Sequence, residues 1–294
     1  MASPREIRRR IRSVRNISQI TRAMEMVSAS RLRRAQQRVT AARPYTERLN
    51  AVIANLAGAA GAAADEDVSF PLLDQRPIQR VALILVTPDR GLTGALNSNV
   101  IRRASRYILN EAGVPVSIIA VGRKGRDFML RYGREVVAEF TGLGDYPTLN
   151  QVTPITQIAV DDFVNGRVDA VFVVYSRFVS TMTQTPDIQQ VLPVQPPTGD
   201  DAPTAARAAN FIFEPSPAVV LNTLLPRYVD QQVYRAILES IASEHAARMV
   251  AMRNATDNAR DLVSDLTLSM NKARQAQITR EVSEIAAGAN ALRG

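Results

Sequence analysis

The stretch Thr87-Pro88-Asp89-Arg90-Gly91-Leu92-Thr93-Gly94 is the part of this chain most suited to phosphate chemistry, because it joins a strand-like apolar run to a helix-like one. At such a junction free backbone N–H groups and the helix dipole both favour a negative charge. The glycines fit neither G-x-G-x-x-G nor G-x-x-x-x-G-K-[ST], so the residues leave two readings open, nucleotide binding and a plain tight turn. The acidic clusters Asp65-Glu66-Asp67, Asp161-Asp162 and Asp200-Asp201 lack the glycine spacing of a calcium loop and read as solvated loops or helix starts. The single histidine, His245, lies in Ser243-Glu244-His245-Ala246-Ala247-Arg248, which is not H-E-x-x-H, and reads as a packing residue on a helix. One histidine and no cysteine exclude a Ser/His/Asp set of convincing form, a thiolate metal site, a disulfide framework and a thiol switch. A self-sufficient hydrolase or metalloenzyme is therefore not expected, and no catalytic residue, metal ligand or cofactor site is assigned.

Charge is concentrated in one segment. Residues 1–48 hold 13 Arg against Glu6, Glu25 and Glu47, a net +10, while the whole chain of 294 residues is +8 and the remainder sums to −2. Arg5, Arg8, Arg9, Arg12 and Arg15 form one group, and Arg31, Arg33, Arg34 and Arg38 a second. Such a face suits phosphates or the acidic surface of a protein partner, and charge alone does not choose between them. Neither group interleaves aromatic residues for base stacking.

The elements that must position these residues fall into three regions. From Arg5 to Arg43 there is no Gly or Pro, and Ile7, Ile11, Val14, Ile17, Ile20, Met24, Val27, Leu32, Ala35 and Val39 recur at helical spacing. Ser3, Pro4 and Glu6 mark the helix start, and Pro44 is a place for a kink. From Arg227 to Ala287 the chain again lacks Gly and Pro, with a stripe running through Ile237, Ile241, His245, Met249 and Met252 to Val282 and Ile285. Two helices this long predict an antiparallel coiled coil. Between them, the apolar runs 80–86, 115–121 and 169–175 alternate with helix-like stretches at 99–112, 123–132 and 156–165. That pattern predicts a Rossmann-like α/β domain with a largely parallel sheet. The expected division is an N-terminal shaft helix over 1–57, a central α/β domain with linkers over 58–208 and a C-terminal shaft helix over 209–294. No stretch approaches the ~20 apolar residues of a membrane span, and the first residues do not read as a signal peptide, which leaves a cytoplasmic protein as the expectation.

Several blocks resemble one known family. Residues 20–33 (Ile20-Thr21-Arg22-Ala23-Met24-Glu25-Met26 through Arg33) and Ala42-Arg43-Pro44-Tyr45 look like the N-terminal helix of the γ subunit of F-type ATP synthase. Asp89-Arg90-Gly91-Leu92, Gly94 and Asn97-Ser98-Asn99 resemble its central domain. Ser240 to Met252, Ala255-Thr256-Asp257-Asn258-Ala259, Asn271 to Ala276, Ile278-Thr279 and Glu284-Ile285 are similar to its C-terminal helix. The blocks lie in family order over essentially the whole chain.

The resemblance implies a rotor shaft that couples proton flow to ATP synthesis or hydrolysis. The implied partners are three α and three β subunits around one such chain, the ε and δ subunits and the membrane c-ring, with no nucleic acid. The implied place is peripheral, on the cytoplasmic face of a bacterial cell membrane. ATP chemistry in the family belongs to β, so the chain is expected to be non-catalytic. By motif, Arg248 and Gln275 match positions that contact a β-subunit catch loop, with Arg274 and Thr279 beside them. Met24, Arg22 and Arg33 match the shaft segment that faces acidic β loops. Thr93 stands where many members carry Cys, and Met270 where an aromatic residue is frequent. The rival readings are a nucleic-acid-binding coiled coil and a nucleotide-dependent enzyme in the central domain.

Overall fold

The computed structural model describes residues 4–62, 70–195, 214 and 216–291. Its longest elements are α1 (Pro4–Ala62) and α5 (Pro217–Ala291), with Pro44 and Pro226 inside them. Between lie β1 (Val81–Val86), α2 (Leu96–Arg106), β2 (Val116–Val121), α3 (Arg123–Arg131), β3 (Val136–Phe140), α4 (Leu149–Val164), β4 (Ala170–Phe178) and β5 (Gln184–Leu192). A π-helical turn, Tyr107–Glu111, extends α2. The helical spacing and absence of breakers in both terminal regions thus become continuous helices, and α1 runs on through Pro44.

The chain divides into two compact units, one built from residues 1–28 and 248–294 and the other from 29–247. In the first, segments of α1 and α5 pack with Ile7, Ile11, Met252 and Ala259 buried. The hydroxyls of Thr21 and Thr256, both buried, meet at 2.7 Å, and Thr256 also donates to the Met252 carbonyl at 2.8 Å. Small side chains at this contact allow close approach of the helix backbones.

The second unit is built on a five-stranded sheet of order β3-β2-β1-β4-β5. β1 pairs in parallel with β2 and β4, β2 in parallel with β3, and β4 antiparallel with β5. All six residues of β1 are buried, as a central parallel strand with both faces covered requires. On one face Val81, Leu83, Leu85, Ile118 and Ala120 pack against Val100, Ile101 and Ala104 of α2 and Met129 of α3. The alternate residues Ala82, Ile84, Ile119, Val171 and Val173 are fully buried on the other. α5 is fixed to β4 at one residue: the Ser176 N–H donates to Ser240 Oγ at 3.1 Å, and Ser243 Oγ donates to the Ser176 carbonyl at 2.9 Å.

Two strands lie outside the expected three, and one helix starts early. β3 is a five-residue edge strand, and β5 carries Pro186, Asp187 and three Gln, a composition tolerated at a sheet edge. α4 begins at Leu149, seven residues ahead of the expected start, because Gln151 Oε1 accepts the Thr148 N–H at 2.9 Å and caps the first turn ahead of Pro154.

Candidate functional site

At the C-terminal ends of β1 and β2, the turn after β1 meets the start of α3. The Asp89 carboxylate accepts the Arg123 N–H at 3.0 Å with one oxygen and the Gly142 N–H at 2.9 Å with the other. Arg123 is the first residue of α3, so a side-chain carboxylate of the chain itself stands where a phosphate would bind. Thr87 closes the turn: its Oγ1 accepts the Gly125 N–H at 2.8 Å, and its own N–H donates to the Val121 carbonyl at 2.8 Å. Gly122 sits at φ +92°, and a Cβ there would lie 1.8 Å from the Thr87 carbonyl oxygen. The space left, bounded by Asp89, Gly122, Gly142, Ser240 and Glu244, is about 50 Å³. That holds a water or two, whereas small-molecule pockets run to roughly 300 Å³ and above. Of the two readings the sequence left open, the geometry favours the tight turn.

Three arginines of the second group meet the loop between β3 and α4. Arg31 Nη1 contacts Asp145 Oδ2 at 2.6 Å, and His245 Nε2 lies 3.3 Å from Asp145 Oδ1. Arg34 Nη1 donates to the Tyr146 hydroxyl at 3.4 Å, and the Arg38 guanidinium lies 4.6 Å from the centre of the Tyr146 ring. The Tyr234 hydroxyl donates to the Pro147 carbonyl at 3.3 Å. The loop between β3 and α4 therefore clamps α1 through three arginines and α5 through His245 and Tyr234. His245, 1% exposed, is a packing residue with an acidic neighbour. Arg33, on the same stretch of α1, is exposed.

Other ionisable groups are held by local structure. Asp162 pairs with Arg167 at 2.6 Å near the end of α4, whereas Asp65-Glu66-Asp67 and Asp200-Asp201 fall outside the described residues. Among the described residues no group of three or more His, Cys, Asp or Glu could hold a metal ion. Burial pushes the Tyr107 and Tyr175 phenols up to about 12, helped by the nearby carboxylates of Glu111 and Glu239 respectively.

In the first unit, Arg22, Arg274, Gln275 and Thr279 are exposed and Met24 is half-buried. Arg248 is different: it is 8% exposed and engaged within the chain. The expected apolar stripe of α5 did not include it, although it stands three residues after His245 and four before Met252. Arg248 and Gln275 stand 27 residues apart on one uninterrupted helix, about 40 Å along the axis at ~1.5 Å per residue. Beyond Gln275, Ile278, Val282 and Ile285 are 51%, 60% and 72% exposed, a row of apolar side chains without cover.

A five-stranded α/β unit and a second unit of paired helix segments, the latter with exposed polar and apolar positions along α5, define a mixed α/β protein with two long terminal helices. The family model described as ATP synthase matches residues 3–292, and the chain belongs to that family. It is 56% identical over 295 residues to the ATP synthase gamma chain of Roseiflexus castenholzii, covering 99% of both chains. To the ATP synthase gamma chain of Chloroflexus aurantiacus it is 54% identical, again with 99% of each chain covered. Among solved structures, the central stalk and c-ring of the Tetrahymena thermophila mitochondrial ATP synthase contains a chain that matches with a TM-score of 0.62 and 24% identity, over 80% of this chain and 99% of that one. The rotor of the Euglena gracilis mitochondrial ATP synthase contains another, with a TM-score of 0.62 and 19% identity, over 94% of this chain and 98% of that one. These two likenesses bear on the fold.

Proposed function

We propose that this gamma-chain relative is the central rotor shaft of an ATP synthase, transmitting torque between a proton-driven membrane ring and nucleotide sites carried by other chains. The observation that carries this is the end-to-end match to gamma chains, 99% of each length at 56% identity, on a chain whose terminal helices run 59 and 75 residues. The chain itself is non-catalytic in this reading: the donors at the one phosphate-like turn are bonded to Asp89. Its partners are the α and β subunits, three each around one shaft, the ε and δ subunits and the membrane c-ring. It sits peripherally at the cytoplasmic face of a bacterial membrane through those partners, and no described helix is long and apolar enough to cross one. The working division is shaft over 1–57, body over 58–208 and shaft over 209–294.

Gln275, with Arg274 and Thr279 on neighbouring exposed positions, is the group that meets a β catch loop. Ile278, Val282 and Ile285 are then covered by the surrounding ring. Arg22, Met24 and Arg33 face acidic β loops, where exposed charges give weak and exchangeable contacts. Arg248, being buried and about 40 Å from Gln275, belongs to a separate contact and acts by holding its own stretch of helix. Mild-detergent purification of the tagged chain from its native membranes, with the co-purifying chains counted, tests the reading. One copy with three each of two larger nucleotide-binding chains supports it. Recovery alone or with nucleic acid overturns it in favour of the phosphate-binding coiled coil, and nucleotide binding by the isolated chain would favour the enzyme reading.

A further inference from the structure

α2 and α3 cross over the same face of the sheet and leave a groove between them of about 620 Å³. Its walls are two complete helix stripes. Lys124, Asp127, Phe128 and Arg131 on α3 are spaced i, i+3, i+4, i+7, and Asn97, Ser98, Ile101, Arg102 and Ser105 face them from α2. The floor is apolar: Ile101 is nearly buried, and the Phe128 ring stacks on Tyr132 with centroids 4.4 Å apart. Tyr132 is itself 64% exposed, so the apolar strip continues outward.

Cations outnumber carboxylates in the lining of this groove, three to one. The only carboxylate lining it, Asp127, is held by Arg126 through contacts of 2.8 and 3.0 Å. Arg102, Lys124 and Arg131 are exposed and make no ion pair with another described residue. Lys124 and Arg131 are seven residues apart, two turns of α3 or about 10 Å. Carboxylates at i and i+7 of a third helix have that same spacing, and the residues between them fall on the apolar strip.

We propose that the α2–α3 groove is a docking surface for an acidic amphipathic helix of a partner protein. A third helix laid in the furrow between two packed helices is the usual way such ridges are filled. Its apolar face covers Ile101, Phe128 and Tyr132, and acidic residues at its edges meet Arg102, Lys124 and Arg131. Cations on both walls of a furrow match a rod with charged flanks, whereas a membrane surface asks for charges in one plane. The proposal goes beyond the rotor reading and leans on it only for the choice of complex to test.

The chain has no cysteine, so Arg106→Cys, exposed and just outside the groove lining, gives a single handle for a benzophenone maleimide at its rim. The labelled chain is assembled in its native complex, illuminated, and the cross-linked peptide identified by mass spectrometry. The expected product is a helical segment of another subunit with net negative charge and an apolar face. Arg131→Glu and Arg102→Glu should each cut its yield roughly tenfold, while Arg227→Glu, the same charge change on an exposed part of α5, should not. Ser105→Trp, which fills the groove without altering charge, should weaken binding of a synthetic peptide copied from the cross-linked segment to the purified chain. Cross-linking to lipid, to a basic or neutral segment, or to nothing overturns the proposal, as does an equal loss with Arg227→Glu. Failure of the rotor reading would show separately, in the subunit count of the purified complex.

Discussion

Replacing Asp89 by Ala should cost this protein about 3 kcal/mol of stability. One carboxylate satisfies two backbone donors, the Arg123 N–H at 3.0 Å and the Gly142 N–H at 2.9 Å, and so joins the starts of two connections that neither strand pairing nor helix bonding reaches. A hydrogen bond to a charged acceptor is worth about 1.5–3 kcal/mol net. The Asp89 side chain is 23% exposed, which argues for the low end and about 1.5 kcal/mol for each. Asp89→Asn keeps one acceptor oxygen but turns an amide N–H₂ towards the other donor, so it should lose about half as much. For a domain of this size, 3 kcal/mol corresponds to a fall in Tm of roughly 6–12 °C. Thermal and urea unfolding of the full chain, followed by circular dichroism, measures it. A loss under about 1 kcal/mol for Asp89→Ala would mean that water replaces the carboxylate, and would refute the idea that this side chain closes the turn.

Further substitutions probe the rest of the account. Gly122→Ala should cost about 4 kcal/mol or more, because its φ of +92° and the Thr87 carbonyl 1.8 Å from a new Cβ leave no room; near-native unfolding of that variant would contradict the geometry. Asp145→Ala should lower stability by about 1–2 kcal/mol, since the half-exposed pair with Arg31 is worth little but the neighbour of buried His245 goes with it, and the urea midpoint reads this out. Tyr107 and Tyr175 have phenols raised to about 12 in the folded chain against 10.0 ordinarily. The unfolded chain therefore releases these protons first, and stability present below about pH 10 should fall as the pH rises towards 12; Tyr175→Phe should flatten that decline in urea titrations. Gln275→Ala, at an exposed position, should leave unfolding unchanged and slow ATP hydrolysis by the assembled complex, and an unchanged rate would remove Gln275 from the proposed contact.

The sequence was most readable where one physical signal dominated. Long runs without Gly or Pro and a helical stripe announced α1 and α5, and continuous apolar runs announced the three buried strands. β3 and β5 were not visible because edge strands need little apolar character: Glu139 and the Thr185-Pro186-Asp187 stretch look like loop until their partners are known. The site divided the same way. The turn at Thr87–Gly94 was found from its place between strand and helix, but only the folded chain shows Asp89 reaching Gly142, 53 positions away. The arginines at 31, 34 and 38 were conspicuous as charge, yet their partners Asp145 and Tyr146 lie more than a hundred residues on, and a charge pattern says nothing about so distant a loop. Arg248 shows the opposite case: matching by motif suggested a partner contact, and the folded chain buries the side chain.

The central claim is that this chain turns inside a ring of other subunits. Its most direct test is single-molecule: the complex is immobilised through its larger nucleotide-binding chains, and a bead is attached to the body through a cysteine introduced at the exposed Leu109. On addition of ATP the account predicts sustained rotation in one direction, with three dwells per turn set by three catalytic sites. A bead that only fluctuates about a fixed angle, while the same complexes hydrolyse ATP, would contradict it.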